Sequence, residues 1–253
     1  MDLVQLSVLG VSAALAGAVN AVAGGGTLIT FPALIAAGLP AKVANMTSTV
    51  AIWPGTIGGS LAYRAELADR KTRLKRLGIP SVAGGLLGAV LLRLSSDRVF
   101  DALVPFLIIF ASLVLAANTP LARLAVRHGL ASRHEEHLPF SMYFSMFVVG
   151  IYGGYFGAGL GILMLAGISI FAPDDLQHAN AVKGLLGMII NFTAIVVFTL
   201  SGQVQWVPAA VMAVCAILGG YGGVAVARRL NANRLRAVIV AWGLFTGTYL
   251  LLT

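Results

Sequence analysis

Charged side chains are scarce in this sequence, which excludes a soluble globular protein. Charged residues make up 10% of the 253 residues, whereas hydrophobic residues make up 58%. A soluble domain has about a quarter of its residues charged. Together with a mean hydropathy of +0.92, the deficit predicts a chain that crosses a lipid bilayer many times.

Acids and cysteines are missing from the places where other classes of membrane protein need them. All nine acidic residues lie in loops or at segment ends. A carrier of metal ions or organic cations normally has a carboxylate within a span, so an anionic substrate is favoured and a neutral one is left open. The single cysteine, Cys215, excludes paired-thiol redox chemistry. With no His-Glu-x-x-His pair and no histidine inside an apolar segment, we expect no enzyme activity, metal site or cofactor.

Ten apolar segments follow one another along the chain. Eight have the length of a membrane span, for which roughly 20 residues are needed. Two are shorter, and each follows a long segment across a glycine cluster. The long segments are Leu3–Ala23, Ala41–Ala62, Leu77–Leu94, Val99–Ala117, Leu138–Phe156, Ala179–Leu200, Val207–Ala227 and Leu235–Leu252, and the short ones are Thr27–Leu39 and Leu160–Ala172.

The order of these segments reveals an internal repeat. Residues 17–26 align with residues 150–159 at a constant offset, and after a two-residue slip residues 44–48 align with residues 179–183. We therefore predict an all-α polytopic protein with two repeats, at 1–117 and 138–253, joined by a cytoplasmic linker at 118–137. Each repeat has a long helix, a short re-entrant or half helix and three further spans.

Basic residues indicate the orientation of the two repeats. Thirteen of the 17 basic residues lie in three loops, at 64–76, 118–137 and 228–236. If each long and short pair forms a hairpin, all three loops face the cytoplasm, as the positive-inside rule requires. Both termini then face the periplasm and the repeats are inverted. The net charge of +8 could suggest a nucleic-acid partner. The confinement of the basic residues to short loops argues against it.

Matching helix breaks in inverted repeats indicate a secondary transporter whose site lies between the repeats. A helix that breaks in hydrocarbon exposes backbone groups that need protein, water or ligand partners, and exposed helix N-termini favour an anion. Gly84, Gly85, Gly88 and the Gly-Gly-Tyr-Gly-Gly run at 219–223 are interpreted as packing residues. The predicted substrate-binding residues are Asn20, Gly24, Gly25, Gly26, Thr27, Thr47, Ser48, Gly157, Gly159, Asn180, Lys183 and Asn191.

The first break carries a motif that identifies a family. The run Ala-Gly-x-x-Asn-x-x-Ala-Gly-Gly-Gly-Thr-Leu-x-x-x-Pro at 16–32, followed by Thr47-Ser48, resembles the sulfite exporter TauE/SafE family of the toluene-sulfonate uptake permease superfamily. The second half, with Lys183 in its Ala-Asn-Ala-Val-Lys run, is similar to the same family. The resemblance implies export of sulfite or an organosulfonate across a bacterial inner membrane. One departure is that Val182-Lys183 stands where Thr-Ser would mirror the first repeat.

Two other functions stay open on the sequence alone. A non-transporting membrane scaffold or assembly subunit would have the same composition, although it would not need matched breaks. A carrier of a neutral small molecule would also lack buried acids. The expected partners are a small sulfur oxyanion and membrane lipid, and a homodimer is left open.

The orientation generates the first testable prediction. A reporter that is active only in the periplasm should be active when it is fused after Thr253 and silent when it is inserted into loop 64–76, because the positively charged loop is retained in the cytoplasm. Reporter activity in cells expressing each fusion at equal abundance is the measurement. A silent C-terminal fusion together with an active loop fusion would contradict the inverted arrangement.

Overall fold

The chain folds as a bundle of α-helices in the computed structural model. The structure describes residues 1–22, 25–62, 64–68, 70–117, 138–171, 176–227 and 232–252. No strand occurs in these ranges. The predicted linker, 118–137, lies outside them, as does the predicted site residue Gly24.

Eleven helices occur in the described ranges, and we number them in chain order. Six of them precede residue 118 and five follow residue 137. They are α1 (Leu3–Val22), α2 (Thr27–Ala36), α3 (Ala41–Ala62), α4 (Arg64–Ala68), α5 (Lys71–Leu94), α6 (Asp97–Ala116), α7 (Phe140–Tyr155), α8 (Leu160–Phe171), α9 (Leu176–Ser201), α10 (Trp206–Ala227) and α11 (Ala232–Leu252).

The ten predicted segments are confirmed as helices, although several ends differ, and α9 and α11 each begin three residues earlier than predicted. Helix α5 begins at Lys71 instead of Leu77, since lysine and arginine are good helix formers and a helix can continue past the apolar layer. Helix α2 ends at Ala36 instead of Leu39. There Gly38, with φ of +93°, closes the helix through bonds from Gly38 N to Ile35 O and from Leu39 N to Leu34 O, the pattern of a Schellman cap.

Equivalent helices of the two halves pack against each other in matching pairs. Helix α1 packs on α10 while α7, its counterpart in the second half, packs on α5. In the same way α3 packs on α10 while α9 packs on α5, and the counterparts α3 and α9 contact each other. Trp53 of α3 donates from Nε1 to the carbonyl oxygen of Met188 at 3.0 Å, and these two residues are equivalent in the alignment that pairs Asn45 with Asn180. The opposite orientation of the halves in a membrane stays a prediction.

Glycines permit the closest of these helix contacts. A Cβ on Gly84 or Gly88 of α5 would overlap a carbonyl oxygen of α7, and a Cβ on Gly219 of α10 would overlap the carbonyl oxygen of Ala14 in α1. Backbones can approach this closely only where side chains are absent. The packing role predicted for these three glycines is confirmed.

The outer surface of the bundle is apolar. Five helices are long and apolar enough to cross a membrane by length and composition, namely α1, α5, α6, α9 and α11. Large apolar side chains along them point outwards, with Leu3 82% exposed and Leu200 74% exposed. An apolar surface of this extent needs lipid around it, so the described helices form a multi-pass membrane protein.

Candidate functional site

The first helix break lies between α1 and α2 and is held by Asn20. The side-chain Oδ1 of Asn20 accepts a hydrogen bond from the backbone N–H of Gly26 at 2.8 Å. Gly25 has φ of +91°, a conformation that glycine adopts readily. A Cβ on Gly26 would lie 2.7 Å from the carbonyl oxygen of Ala16, so only glycine fits there. Thr27, the first residue of α2, is buried.

The second break lies between α7 and α8 and is held by Tyr152. Its hydroxyl donates to the carbonyl oxygen of Ala158 at 2.5 Å. Gly157 and Gly159 have φ of +80° and +74°. At both breaks a side chain of the long helix therefore reaches a backbone group six residues later. Asn20 accepts from an N–H, whereas Tyr152 donates to a carbonyl.

Both breaks approach the same part of α6. A Cβ on Gly25 would lie 3.1 Å from Leu115 Cδ2, and one on Gly159 would lie 3.6 Å from the carbonyl oxygen of Ala111. Ala111 and Leu115 are one helical turn apart. The structure thus brings together the two glycine breaks that the repeat predicts, one from each half of the chain.

Helix α3 contributes a fully buried polar cluster. Ser48 Oγ lies 2.7 Å from Thr30 Oγ1 of α2, and Thr47 Oγ1 accepts from the backbone N–H of Gln205 at 3.2 Å, just before α10. Asn45 donates from Nδ2 to the carbonyl oxygen of Tyr155 at 3.0 Å. All four side chains on α2 and α3 are 0% exposed. The cluster therefore ties α3 to α2, to the end of α7 and to the start of α10.

Lys183 lies on a face of α9 that turns towards the second break. Lys183, Gly187 and Asn191 are spaced four residues apart, which places them along one face of a helix. Lys183 Cε lies 3.8 Å from the Cβ position of Gly161 in the first turn of α8. Asn191 Oδ1 lies 3.5 Å from the Cβ position of Gly157. Both side chains are half-buried.

These side chains have no protein partner in the described part of the chain. None of its residues forms a hydrogen bond or ion pair with the side chains of Lys183, Asn191 or Asn180. At the start of α8 the N–H groups of Leu160 and Ile162 bond to Gly157 O and Gly159 O, at 3.2 and 3.0 Å. Within the same ranges the N–H of Gly161 bonds to no acceptor. An ammonium and a backbone donor are thus both free beside the second break.

The predicted site residues separate into two groups. Met46, next to Thr47, lies 3.9 Å from Ser201 at the end of α9, measured from sulfur to hydroxyl. Lys183 lies eighteen residues earlier on that helix, which is about 27 Å at 1.5 Å per residue. The Thr47–Ser48 pair and Lys183 are therefore too far apart to contact one small ligand together.

Two polar residues at the breaks were not among those predicted, the buried Asn45 and the half-buried Tyr152. Asn45 is aligned with Asn180 by the same repeat that identified Asn180 as a candidate. The repeat could therefore have identified Asn45 as well. Tyr152 has no polar counterpart in the first half, where Val19 stands. The hydrogen bond of Tyr152 depends on the path that the backbone takes through the break, and this path cannot be predicted from the pattern of residue types.

Comparison with known proteins agrees with the architecture. The family model for sulfite exporter TauE/SafE matches residues 9–250. Probable membrane transporter protein ORF9 of Sinorhizobium is 29% identical, over 93% of this chain and 88% of its own length. Probable membrane transporter proteins of Haemophilus influenzae and of Escherichia coli K12, the latter named YfcA, are each 28% identical, over 88% and 93% of this chain and 85% of their own lengths.

No solved structure matches the chain, so the geometry above rests on this chain alone. The relatives are described as membrane transporters and not as enzymes. The family match extends over both helix breaks, the polar cluster of α3 and Lys183. The chain belongs to the sulfite exporter TauE/SafE family of membrane transporters.

Proposed function

We propose that this protein is a secondary transporter that exports a small sulfur oxyanion, sulfite or an organosulfonate, across a bacterial inner membrane. The anion binds beside the second helix break, between α8 and α9. The first break supplies the opposing wall from the other repeat. In this proposal both termini face the periplasm.

The observation that carries the proposal is the unpaired ammonium of Lys183 against the first turn of α8. A lysine that is half-buried in a membrane protein normally has a counter-ion or a cluster of carbonyl acceptors. Here Lys183 Cε lies 3.8 Å from the Cβ position of Gly161, whose N–H has no acceptor in the described ranges. A helix N-terminus carries partial positive charge. The space beside the second break is therefore attractive to an anion through both the Lys183 ammonium and the N-terminus of α8.

The donors beside the break suit an oxyanion with several oxygens. The Lys183 ammonium has three N–H donors, and the Asn180 and Asn191 amides have two each. Together with Gly161 N–H they can satisfy the three oxygens of a sulfite or sulfonate group. The missing side chain at Gly161 lets such a group approach the backbone of α8. The name of the sulfite exporter family supports sulfur as the central atom.

Neutralising Lys183 should greatly weaken anion transport. Lys183→Met keeps an unbranched side chain of similar length and removes the charge. At low sulfite concentration we expect uptake into reconstituted liposomes to fall roughly tenfold or more, because two charges about 4 Å apart interact by about 4 kcal/mol at a partly buried site. Lys183→Arg, which keeps the charge, should retain more transport than Lys183→Met.

The matched control is Lys75→Met. Lys75 is an exposed lysine near the start of α5, where solvent ions screen its charge, so this variant should transport as the wild type does. If Lys183→Met also transports at the wild-type rate and abundance, Lys183 only extends towards the membrane surface and the anion site is misplaced.

The glycine breaks give a second prediction for the same transport measurement. A methyl group at Gly25 or Gly159 forces an L-residue into left-handed backbone geometry, which costs on the order of 1–2 kcal/mol. At Gly25 the methyl group would also press on Leu115, 3.1 Å away. Because both positions border the proposed site, Gly25→Ala and Gly159→Ala should each lower anion transport in protein that remains folded and in the membrane.

Gly38→Ala separates the effect on the site from backbone strain alone. Gly38 has φ of +93° and nothing within 4 Å of its Cβ position, so this variant carries the same strain outside the site. Transport by Gly38→Ala should stay near the wild-type rate. Equal transport by all three variants, at equal abundance, would mean that the breaks do not border the substrate.

A further inference from the structure

The amide of Asn45 has an oxygen without a partner in a fully buried position. Asn45 is 0% exposed, and its Oδ1 accepts no hydrogen bond. The orientation of the amide follows from its neighbour, since Nδ2 donates to the carbonyl oxygen of Tyr155 at 3.0 Å. The opposite orientation would place two acceptors against each other. A buried acceptor left unsatisfied costs about 1–3 kcal/mol, so this oxygen indicates a missing ligand.

A second acceptor lies one turn further along α3. Thr30 Oγ1 lies 3.3 Å from the carbonyl oxygen of Gly26 and 2.7 Å from Ser48 Oγ. If Thr30 donates its single proton to Gly26, Ser48 donates its own to Thr30. The oxygen of Ser48 then keeps both lone pairs. Asn45 and Ser48 are three residues apart, with Cβ atoms about 5–6 Å from each other, so one small ligand can contact both.

These oxygens lie between the first turn of α2, which contains Thr30, and the negatively polarised C-terminal end of α7. The carbonyl of Tyr155, which Asn45 contacts, belongs to the last residue of α7, and a helix C-terminus carries partial negative charge. Phe156, which follows, packs on Phe31 of α2 with ring centroids 5.6 Å apart. This contact places the end of α7 beside Thr30. The free oxygens thus lie between α2, α3 and the negative end of α7.

We propose that this group is a binding site for an alkali-metal cation, with Asn45 Oδ1 and Ser48 Oγ as its side-chain ligands. Neutral oxygens and helix C-terminal carbonyls are the ligands that secondary transporters use for such ions. The described residues include no group of three or more histidine, cysteine or acidic side chains, so a divalent or transition metal lacks the ligands it prefers. The closest described cation along α3 is Lys42, which donates to the carbonyls of Arg93 and Ser95 and pairs with Asp97.

The test is thermal unfolding of the purified full-length protein without any anionic substrate. Wild-type protein is titrated with NaCl and with KCl against choline chloride at constant ionic strength. We expect a saturable rise in melting temperature with Na⁺ or K⁺ and none with choline, because a ligand that binds only the folded state stabilises it. A response to either alkali ion supports the site, and the comparison identifies which ion it prefers.

Two variants locate the ion at this cluster. Asn45→Leu should abolish the response. Ser48→Ala, a milder change, should raise the concentration of half-maximal response by roughly tenfold, which is the scale for loss of one group that supports a metal site. Ser169→Ala is the control, because Ser169 is 3% exposed and bonds only to Leu165 O in its own helix, and it should respond as the wild type does.

The proposal is overturned if wild-type protein melts at the same temperature in all three salts, as it would if water filled the site. It is also overturned if Ser48→Ala and Ser169→Ala respond alike, a comparison that does not depend on the folding of Asn45→Leu. The measurement uses no transported anion. Its failure therefore leaves the proposed anion transport untouched, and a failure of anion transport leaves this site untouched.

Discussion

The structure depends on one constraint, which is that a helix cannot end inside an apolar bundle unless its free backbone groups find partners. Asn20 solves this at the first break by accepting from Gly26 N–H, and Tyr152 solves it at the second by donating to Ala158 O. Each side chain satisfies one group, and at the second break the N–H of Gly161 has no acceptor in the described part of the chain. In the proposed function a bound anion satisfies this donor. Glycines with positive φ then become necessary, because the chain must turn where a side chain would obstruct the ligand.

The two halves of the chain differ in the polar groups at aligned positions of α3 and α9. In the first half Asn45 Oδ1 has no hydrogen-bond partner and Ser48 shares a hydrogen bond with Thr30, whereas the aligned positions in the second half hold Asn180 and Lys183. In the two sites proposed here, similar helices offer acceptors to a cation in the first half of the chain and donors to an anion in the second. Helices α3 and α9, which carry these residues, contact each other where Trp53 donates to the carbonyl oxygen of Met188. The proposals therefore describe two halves with similar helix packing and different ligands.

Most of the fold could be predicted from the sequence because hydrophobic length and glycine clusters are local signals. The ten apolar segments are all helices, and two of the ends that differ, at Lys71 and Ala36, are set by a helix continuing past the apolar layer and by the Gly38 cap. The site could be predicted only in part. The glycine breaks and Lys183 were identifiable from composition and repeat, whereas the partners of Thr47, Ser48 and Asn45 lie on distant helices. Three-dimensional packing decides which of these polar groups have hydrogen-bond partners. Only the hydrogen bonds in the structure distinguish Asn45 Oδ1, which has no partner, from its neighbours.

The central claim is that the chain itself moves a sulfur oxyanion, and flux through the purified protein tests it most directly. Protein reconstituted into liposomes is compared with protein-free liposomes for uptake or efflux of sulfite, sulfate, thiosulfate and short sulfonates. The account predicts saturable flux of sulfite or a sulfonate that the other anions inhibit according to their similarity. Flux of all four anions at the level of protein-free liposomes, from protein that is folded and inserted, would contradict it.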